Sequence, residues 1–394
     1  MLQRLKCASV GVLALVPAIA FAQEAAPEAA ASSAPTLKLT PTARAQVFST
    51  LSDSTKNGFN FDVFDARLGA VGEYGVAKFK LDVRLPGDKA ASEANLYEAK
   101  VGFGTWLGTL NTGRIRNTEF VGYGLWDERW TPGFGAIDGI QLATAHEFGP
   151  AKVSAGITLG NGLDGTWKGG KTAGLKNGSA EKTDLSTVLT LGVEAMGARV
   201  YAGLGMEPNR YVQAPVKDDT STTGTDESNP GTVADLTHAE IAIGYGMEGV
   251  SGGLWYAVTT QGDTKAVKEN KAGTVSTTGD ALAKETEQSI LGLGVTVDSR
   301  LWGMTNLLQD GDRLAFGLNY AMYTPKIDGK VDKAGDDELT FNEIALSAGY
   351  NAGDVYNMNL HFVMDSSDAK QWSDTDGKPQ DSRTRIVLET GIYL

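Results

Sequence analysis

The chain has a single cysteine, three histidines and no apolar run long enough to cross a bilayer as a helix. Each shortage narrows the function. A spanning helix needs about 20 consecutive apolar residues, so a helical membrane protein is excluded. Cys7 lies inside an N-terminal apolar run that reads as a cleaved leader, so the mature chain is expected to have no disulfide and no thiol chemistry. His146, His238 and His361 stand far apart. None has metal-ligand spacing to another, and none neighbours a serine in a nucleophile turn. No catalytic residue, metal site or cofactor is expected. Basic residues are in deficit, with Lys+Arg 35 against Asp+Glu 48 and no basic stripe interleaved with aromatics. That argues against a nucleic acid as partner.

What is present begins with a secretion signal. Arg4 and Lys6 precede an apolar run from Ala8 to Phe21, and Ala20-Phe21-Ala22 supplies a small-x-small cleavage site before Gln23. Residues 1–22 are therefore expected to be removed, and residues 23–35, rich in Ala, Pro and Ser, to form a flexible periplasmic leader. Losing Arg4 and Lys6 takes the formal net charge from −13 to −15. The 49 glycines are spread through strand-like segments, as a tightly twisted sheet would use them.

The rest of the chain, residues 36–394, alternates apolar and polar residues with the period of a strand. Ala77, Phe79, Leu81, Val83 and Leu85 interleave with Lys78, Lys80, Asp82 and Arg84. Ala99, Val101 and Phe103 interleave with Glu98 and Lys100, and Ile344, Leu346 and Ala348 with Glu343 and Ser347. The last residues follow the rule: Ile386, Leu388, Ile392 and Leu394 fall on one face, Arg385, Glu389 and Gly391 on the other. Short breaks fall at Gly72–Gly75, Gly104–Thr105, Phe148–Pro150, Met196–Ala198, Met247–Gly249 and Asn351–Gly353, with a longer one at Ser299–Gly311. They alternate with long polar stretches at Leu51–Asn60, Pro86–Glu93, Ile115–Ala136, Asn161–Asp184, Gln213–Leu236, Gln261–Glu287, Thr324–Glu338 and Ser366–Ser382. Such sorting predicts an all-β fold: a closed antiparallel transmembrane β-barrel of about 16 strands, with short periplasmic turns and long extracellular loops. Tyr74, Trp106, Tyr245, Trp302, Tyr350, Tyr356 and Tyr393 lie beside the short breaks, where an interfacial girdle would sit.

A barrel this wide is not filled by side chains, so water is expected inside it. Asp65, Arg67, Lys78, Lys80, Asp82, Arg84, Glu98 and Lys100 would then line the pore. The third long stretch carries Arg116, Glu119, Asp127, Glu128 and Arg129 among Phe120, Trp126, Trp130 and Phe134. Folded inward it would be a constriction loop, its rings on the wall and its charges toward the permeant. Gathered outward it would be a loop at the mouth. The acidic runs Asp328–Asp332 and Asp336–Glu338 lack a full calcium ligand set and read as solvated loop charge.

Phe64-Asp-Ala-Arg-Leu-Gly-Ala-Val-Gly, Ala77-Lys-Phe-Lys-Leu-Asp-Val-Arg, and Leu110-Asn-Thr-Gly-Arg114 leading into a charged aromatic loop resemble the first third of the bacterial porin O/P family. Asp138-Gly-Ile-Gln-Leu142 followed by Ile157-Thr-Leu-Gly-Asn-Gly162 is similar to that family's next hairpin. The resemblance implies a 16-stranded, trimeric channel for small hydrophilic solutes or ions, with the third loop in the lumen. Phosphate-selective members use pore-facing lysines and arginines; Lys78, Lys80 and Arg84 fall on a comparable strand, but Asp65, Asp82 and Glu98 stand among them. The family's final aromatic is replaced by Leu394, with Tyr393 one position early. The expectation is a porin-like passive channel in a Gram-negative outer membrane, in contact with lipid and lipopolysaccharide and forming a homo-trimer. Two alternatives stand beside it: a structural or recognition barrel whose loops meet partners, and an outer-membrane hydrolase built on one of the histidines.

Overall fold

The computed structural model describes residues 35–50, 59–85, 95–116, 124–126, 136–164, 185–213, 231–269, 275–283, 286–304, 307, 309, 311–327, 340–353, 355–368, 372–373 and 379–393. The expected signal peptide, nearly all of the leader, Leu394 and much of the long polar stretches lie outside these residues.

Sixteen strands close into one antiparallel ring. In chain order they are β1 (Thr42–Thr50), β2 (Phe59–Tyr74), β3 (Ala77–Arg84), β4 (Asn95–Thr105), β5 (Gly108–Arg116) and β6 (Ala136–Phe148). Then come β7 (Ala151–Asp164), β8 (Ser186–Ala195), β9 (Ala198–Gln213), β10 (Gly231–Met247), β11 (Val250–Gln261) and β12 (Thr286–Asp298). The ring ends with β13 (Asp312–Ile327), β14 (Phe341–Ala352), β15 (Tyr356–Ser367) and β16 (Ser382–Tyr393). Each strand pairs with its neighbours in sequence, and β16 returns to β1 from Thr42↔Tyr393 to Thr50↔Arg385. Closure leaves the ring without an open edge, which a sheet in hydrocarbon requires because no water is there to satisfy one. Thr36–Leu39 continues β1 below Pro41 in the same register along β2, Leu39↔Ala70 being followed by Thr42↔Arg67. Proline has no N–H to give the ladder, and the strand is interrupted there.

Burial is inverted relative to a soluble sheet. Leu346 is 50% exposed, while its neighbours Ala345 and Ser347 are 0% and 7% exposed. The same alternation exposes Phe79 and Leu81 on β3, Ile241, Ile243 and Tyr245 on β10, and Leu360 and Phe362 on β15. Side chains of a strand point alternately to its two faces, so the apolar set faces out and the other set faces the lumen. Tyr74, Trp106, Tyr245 and Trp302 are all exposed at the short-turn end.

Three details differ from the sequence reading. The turn between β4 and β5 is Trp106-Leu107 rather than Gly104–Thr105, because the ladder runs on to Thr105↔Gly108 and the Thr105 hydroxyl donates to the Gly108 carbonyl at 2.7 Å. Two polar stretches contain strands of their own. Thr264–Glu269 and Val275–Ala283 form a hairpin whose first arm prolongs β11 along β10, and Trp372–Ser373 pairs with Pro379–Gln380. Finally, the inner face is not uniformly polar. Tyr201, Ala242, Trp255, Ile290 and Tyr323 make a buried apolar patch across β9–β13, and Ile137, Val188 and Leu236 make another. The Trp255 indole packs against Gly292, where a side chain would collide with it.

The long break between β12 and β13 is an ordered turn. Ser299–Trp302 forms one turn of 3-10 helix; Asp298 accepts the Arg300 N–H at 3.0 Å and two bonds from the guanidinium Nε and Nη2 at 2.9 and 2.6 Å. That carboxylate beside it holds the Arg300 guanidinium above its ordinary pKa. At the other end Asp312 is buried and accepts the N–H groups of Leu307 and Gln309 and the Tyr350 hydroxyl.

Candidate pore lining

Arg67 on β2, Lys80, Asp82 and Arg84 on β3, and Glu98 and Lys100 on β4 share the inner face, alternating with exposed Leu68, Phe79, Leu81 and Val101. Glu98 is 4% exposed and receives Lys80 Nζ at 2.6 Å and Lys100 Nζ at 2.9 Å. Arg67 Nη1 lies 3.5 Å from Asp82 Oδ2. Lys78 lies farther down, 4.0 Å from Glu73 beside the first short turn, with both side chains exposed.

One irregularity adds a ring to this wall. The β3–β4 register slips between Asp82↔Glu98 and Val83↔Leu96, so Tyr97 is the extra residue of a β-bulge. A bulge re-aims side chains, and here it lets Leu96 stay outside while Tyr97 joins Glu98 within the charged cluster. Three guanidinium carbons converge on the Tyr97 ring: Arg116 at 3.8 Å, Arg67 at 4.3 Å and Arg84 at 4.9 Å from its centroid. Each such contact is worth about 0.5–2 kcal/mol, more as water is excluded.

Around the closure of the ring, on β14–β16 and β1, acidic and basic side chains pair. Arg385 Nη2 donates to Glu343 Oε2 at 2.9 Å, its Nε donates to Asp365 Oδ2 at 2.9 Å, and Arg383 Nε donates to the same oxygen at 2.8 Å. Arg44 Nη2 donates to Glu389 Oε1 at 2.6 Å. Of the third long stretch the structure describes Ile115, Arg116, Ala136 and Gly124-Leu125-Trp126, and the last three reach β13–β16. The Trp126 backbone N–H donates to Asn319 Oδ1 at 3.2 Å, and its ring N–H donates to Glu343 Oε1 at 2.8 Å. The indole lies 4.7 Å from the His361 ring and packs on Ala345, Val363 and Val387. Leu125 sits over Gly317 and Gly349, and Gly124, at φ +101°, lies against Asn319 with no room for a side chain. The stretch leaves from β5, and β13 stands diametrically opposite in the ring. The three described residues Gly124-Leu125-Trp126 therefore lie against the inner wall.

Two histidines sit in hydroxyl–imidazole–carboxylate rows. Thr259 Oγ1 is 2.7 Å from His238 Nδ1, whose Nε2 is 3.1 Å from Glu240. Ser347 Oγ is 2.7 Å from His361 Nδ1, and His361 Nε2 is 3.9 Å from Glu389. Both imidazoles are fully buried, with Trp126 lying against His361. A nucleophilic hydroxyl must meet its substrate, and these rows offer no open approach. His146 is exposed and makes its 2.9 Å contact with Thr144, two residues along the same outward-facing side of β6.

The structure thus brings together Arg67, Lys80, Asp82, Arg84, Glu98, Lys100 and Arg116, and leaves Lys78 apart from them. The Asp65 side chain and Glu119, Asp127, Glu128 and Arg129 lie outside the described residues. Sequence reasoning missed Tyr97, since the bulge leaves no mark in a two-residue period. It also missed the Glu343–Asp365–Arg385 network, whose members come to one height on the inner face only once register is known.

No family model matches the chain, and no curated protein matches it. Solved structures do. The chain is similar to OmpT, an outer membrane protein of Vibrio cholerae, with a TM-score of 0.56 at 14% identity over 93% of this chain and 100% of that one. It is similar to an anion-selective porin from Comamonas acidovorans, with a TM-score of 0.56 at 14% identity over 92% and 100%. The outer membrane channel DcaP of Acinetobacter baumannii aligns with a TM-score of 0.52 at 10% identity over 91% and 97%. At these identities the likeness is one of fold. By fold, the chain is a 16-stranded antiparallel barrel of the kind found among outer-membrane porins and channels.

Proposed function

We propose that the protein is a porin-like channel of the bacterial outer membrane, through which small hydrophilic solutes and ions diffuse passively. One observation carries this reading: charged residues and the tip of the third long stretch occupy the inside of a closed barrel whose outside is apolar. Ions on opposed walls of a narrow aqueous passage orient dipolar solutes and set ion preference through their local field. Similarity in fold to a porin and a channel supports the reading. Assembly as a homo-trimer in contact with lipopolysaccharide is part of the proposal; a solved structure of the similar OmpT is described as a trimer form.

The apolar patches on the inner wall favour a second reading, a narrow structural or recognition barrel. Planar-bilayer recording separates the two. The mature protein is expected to give stable current steps of about nanosiemens size in molar salt, as a water-filled lumen would allow. A silent, correctly inserted barrel would reject the channel and leave the second reading.

A further inference from the structure

We infer that the cavity at the short-turn end of β7–β11, floored by Gly244 and Gly246 and bordered by the Glu194–Arg199 pair, is a binding subsite for the zwitterion of a permeating α-amino acid. The inference rests on the channel reading and adds a substrate class and a place on the path. Lys152, Glu194, Arg199 and Gly244 pair in register across β7, β8, β9 and β10, on the inner face and close to the short turns. Here the wall recedes into a cavity of about 490 Å³ that Ser251 also lines.

Two poles of opposite sign stand side by side in it. Arg199 Nε lies 2.8 Å from Glu194 Oε1, and the two side chains are 47% and 46% exposed. A guanidinium carries five N–H donors and a carboxylate about four acceptor sites, so neither group is used up by the other. Lys152 stands opposite Glu194 on one side and Glu147 on the other, so acids and bases balance across the site. A lone anion or cation therefore meets repulsion as well as attraction. An amino acid carries both charges on one carbon, its carboxylate suited to the donors of Arg199 and its ammonium to Glu194.

The floor leaves room for the solute. A Cβ at Gly246 would meet nothing nearer than the Ser251 Cβ at 3.8 Å, so packing of the protein does not demand glycine there. Gly244 continues in register through Gly253 and Gly294 to Asn319, which receives the Trp126 N–H. This strip without side chains runs from Gly124-Leu125-Trp126 to the ion pair, and the side chain of a bound amino acid can lie along it.

The test is the swelling of proteoliposomes holding the full mature chain, in L-glutamine and in D-arabinose, two solutes of similar size and no net charge. A shallow binding well raises the flux of a solute until the well saturates. Two exposed ion contacts make that well worth about threefold, so swelling in L-glutamine should be about threefold faster and should saturate with concentration, unlike swelling in D-arabinose. Glu194→Gln with Arg199→Gln removes both poles at nearly constant size and should make the two rates equal. Gly246→Val, which fills the floor and keeps the ion pair, should lower the ratio of the rates as well. Equal rates in the wild type, or an unaltered ratio in variants that still admit D-arabinose, overturns the subsite and leaves the channel standing. A wild type that admits neither solute would instead overturn the channel itself.

Discussion

Replacing Trp126 with alanine is expected to free the tip of the third long stretch from the far wall and enlarge the passage. The indole makes the 2.8 Å bond to Glu343, lies against His361 and fills the space among Ala345, Val363 and Val387. Removing a buried tryptophan side chain costs about 3–5 kcal/mol, which weakens docking of the tip by a factor of roughly a hundred or more. Larger and noisier single-channel currents should follow, with entry of polyethylene glycols that the wild type excludes. Trp126→Phe keeps the packing and loses the ring N–H, so its conductance should fall between the two. An alanine variant with the wild-type conductance and size cut-off would show that Trp126 does not hold the constriction.

The second large effect concerns the wall. Arg385 is the shared partner of Glu343 and Asp365, and all three are at most 7% exposed. Arg385→Ala leaves the buried Glu343 carboxylate without its cation and Asp365 with Arg383 alone, and such uncompensated charge costs about 3–5 kcal/mol. The loss should appear as a lower denaturant midpoint when the barrel unfolds from lipid vesicles. If uncompensated charge is the cause, Arg385→Met combined with Glu343→Gln should recover most of the stability, because the charges that remain, Asp365 and Arg383, still pair with each other. A double variant as unstable as Arg385→Ala would mean that lost packing, and not lost pairing, is responsible.

Much of the architecture was legible before any coordinate. Lys78, Lys80, Asp82 and Arg84 between Ala77, Phe79, Leu81 and Val83 can be accommodated only by a sheet with lipid on one side and water on the other. The alternation of short breaks with long stretches counted the strands, and the ring closes with that number. The pore lining was legible only within a strand. Arg67, Lys80 and Glu98 were identified as inward-facing, but Lys78 was grouped with them although it lies near the short turn beside Glu73. Height along the barrel follows from inter-strand register and cannot be read from a residue's parity.

Sequence determined which face of most strands meets lipid, because a strand's period of two is local and a hydrocarbon surround tolerates only one assignment of apolar and ionic faces. Tertiary structure alone decided which distant residues meet. The bulge at Tyr97 arises from how β3 and β4 pair, and no pattern within either strand specifies it. Trp126 meets Asn319, Glu343 and His361 because closing the ring puts β13–β15 across from β5, where a loop of that length can reach them. Contacts between segments separated by roughly two hundred residues exist only once the barrel shuts, and the shape of the passage is made from those contacts.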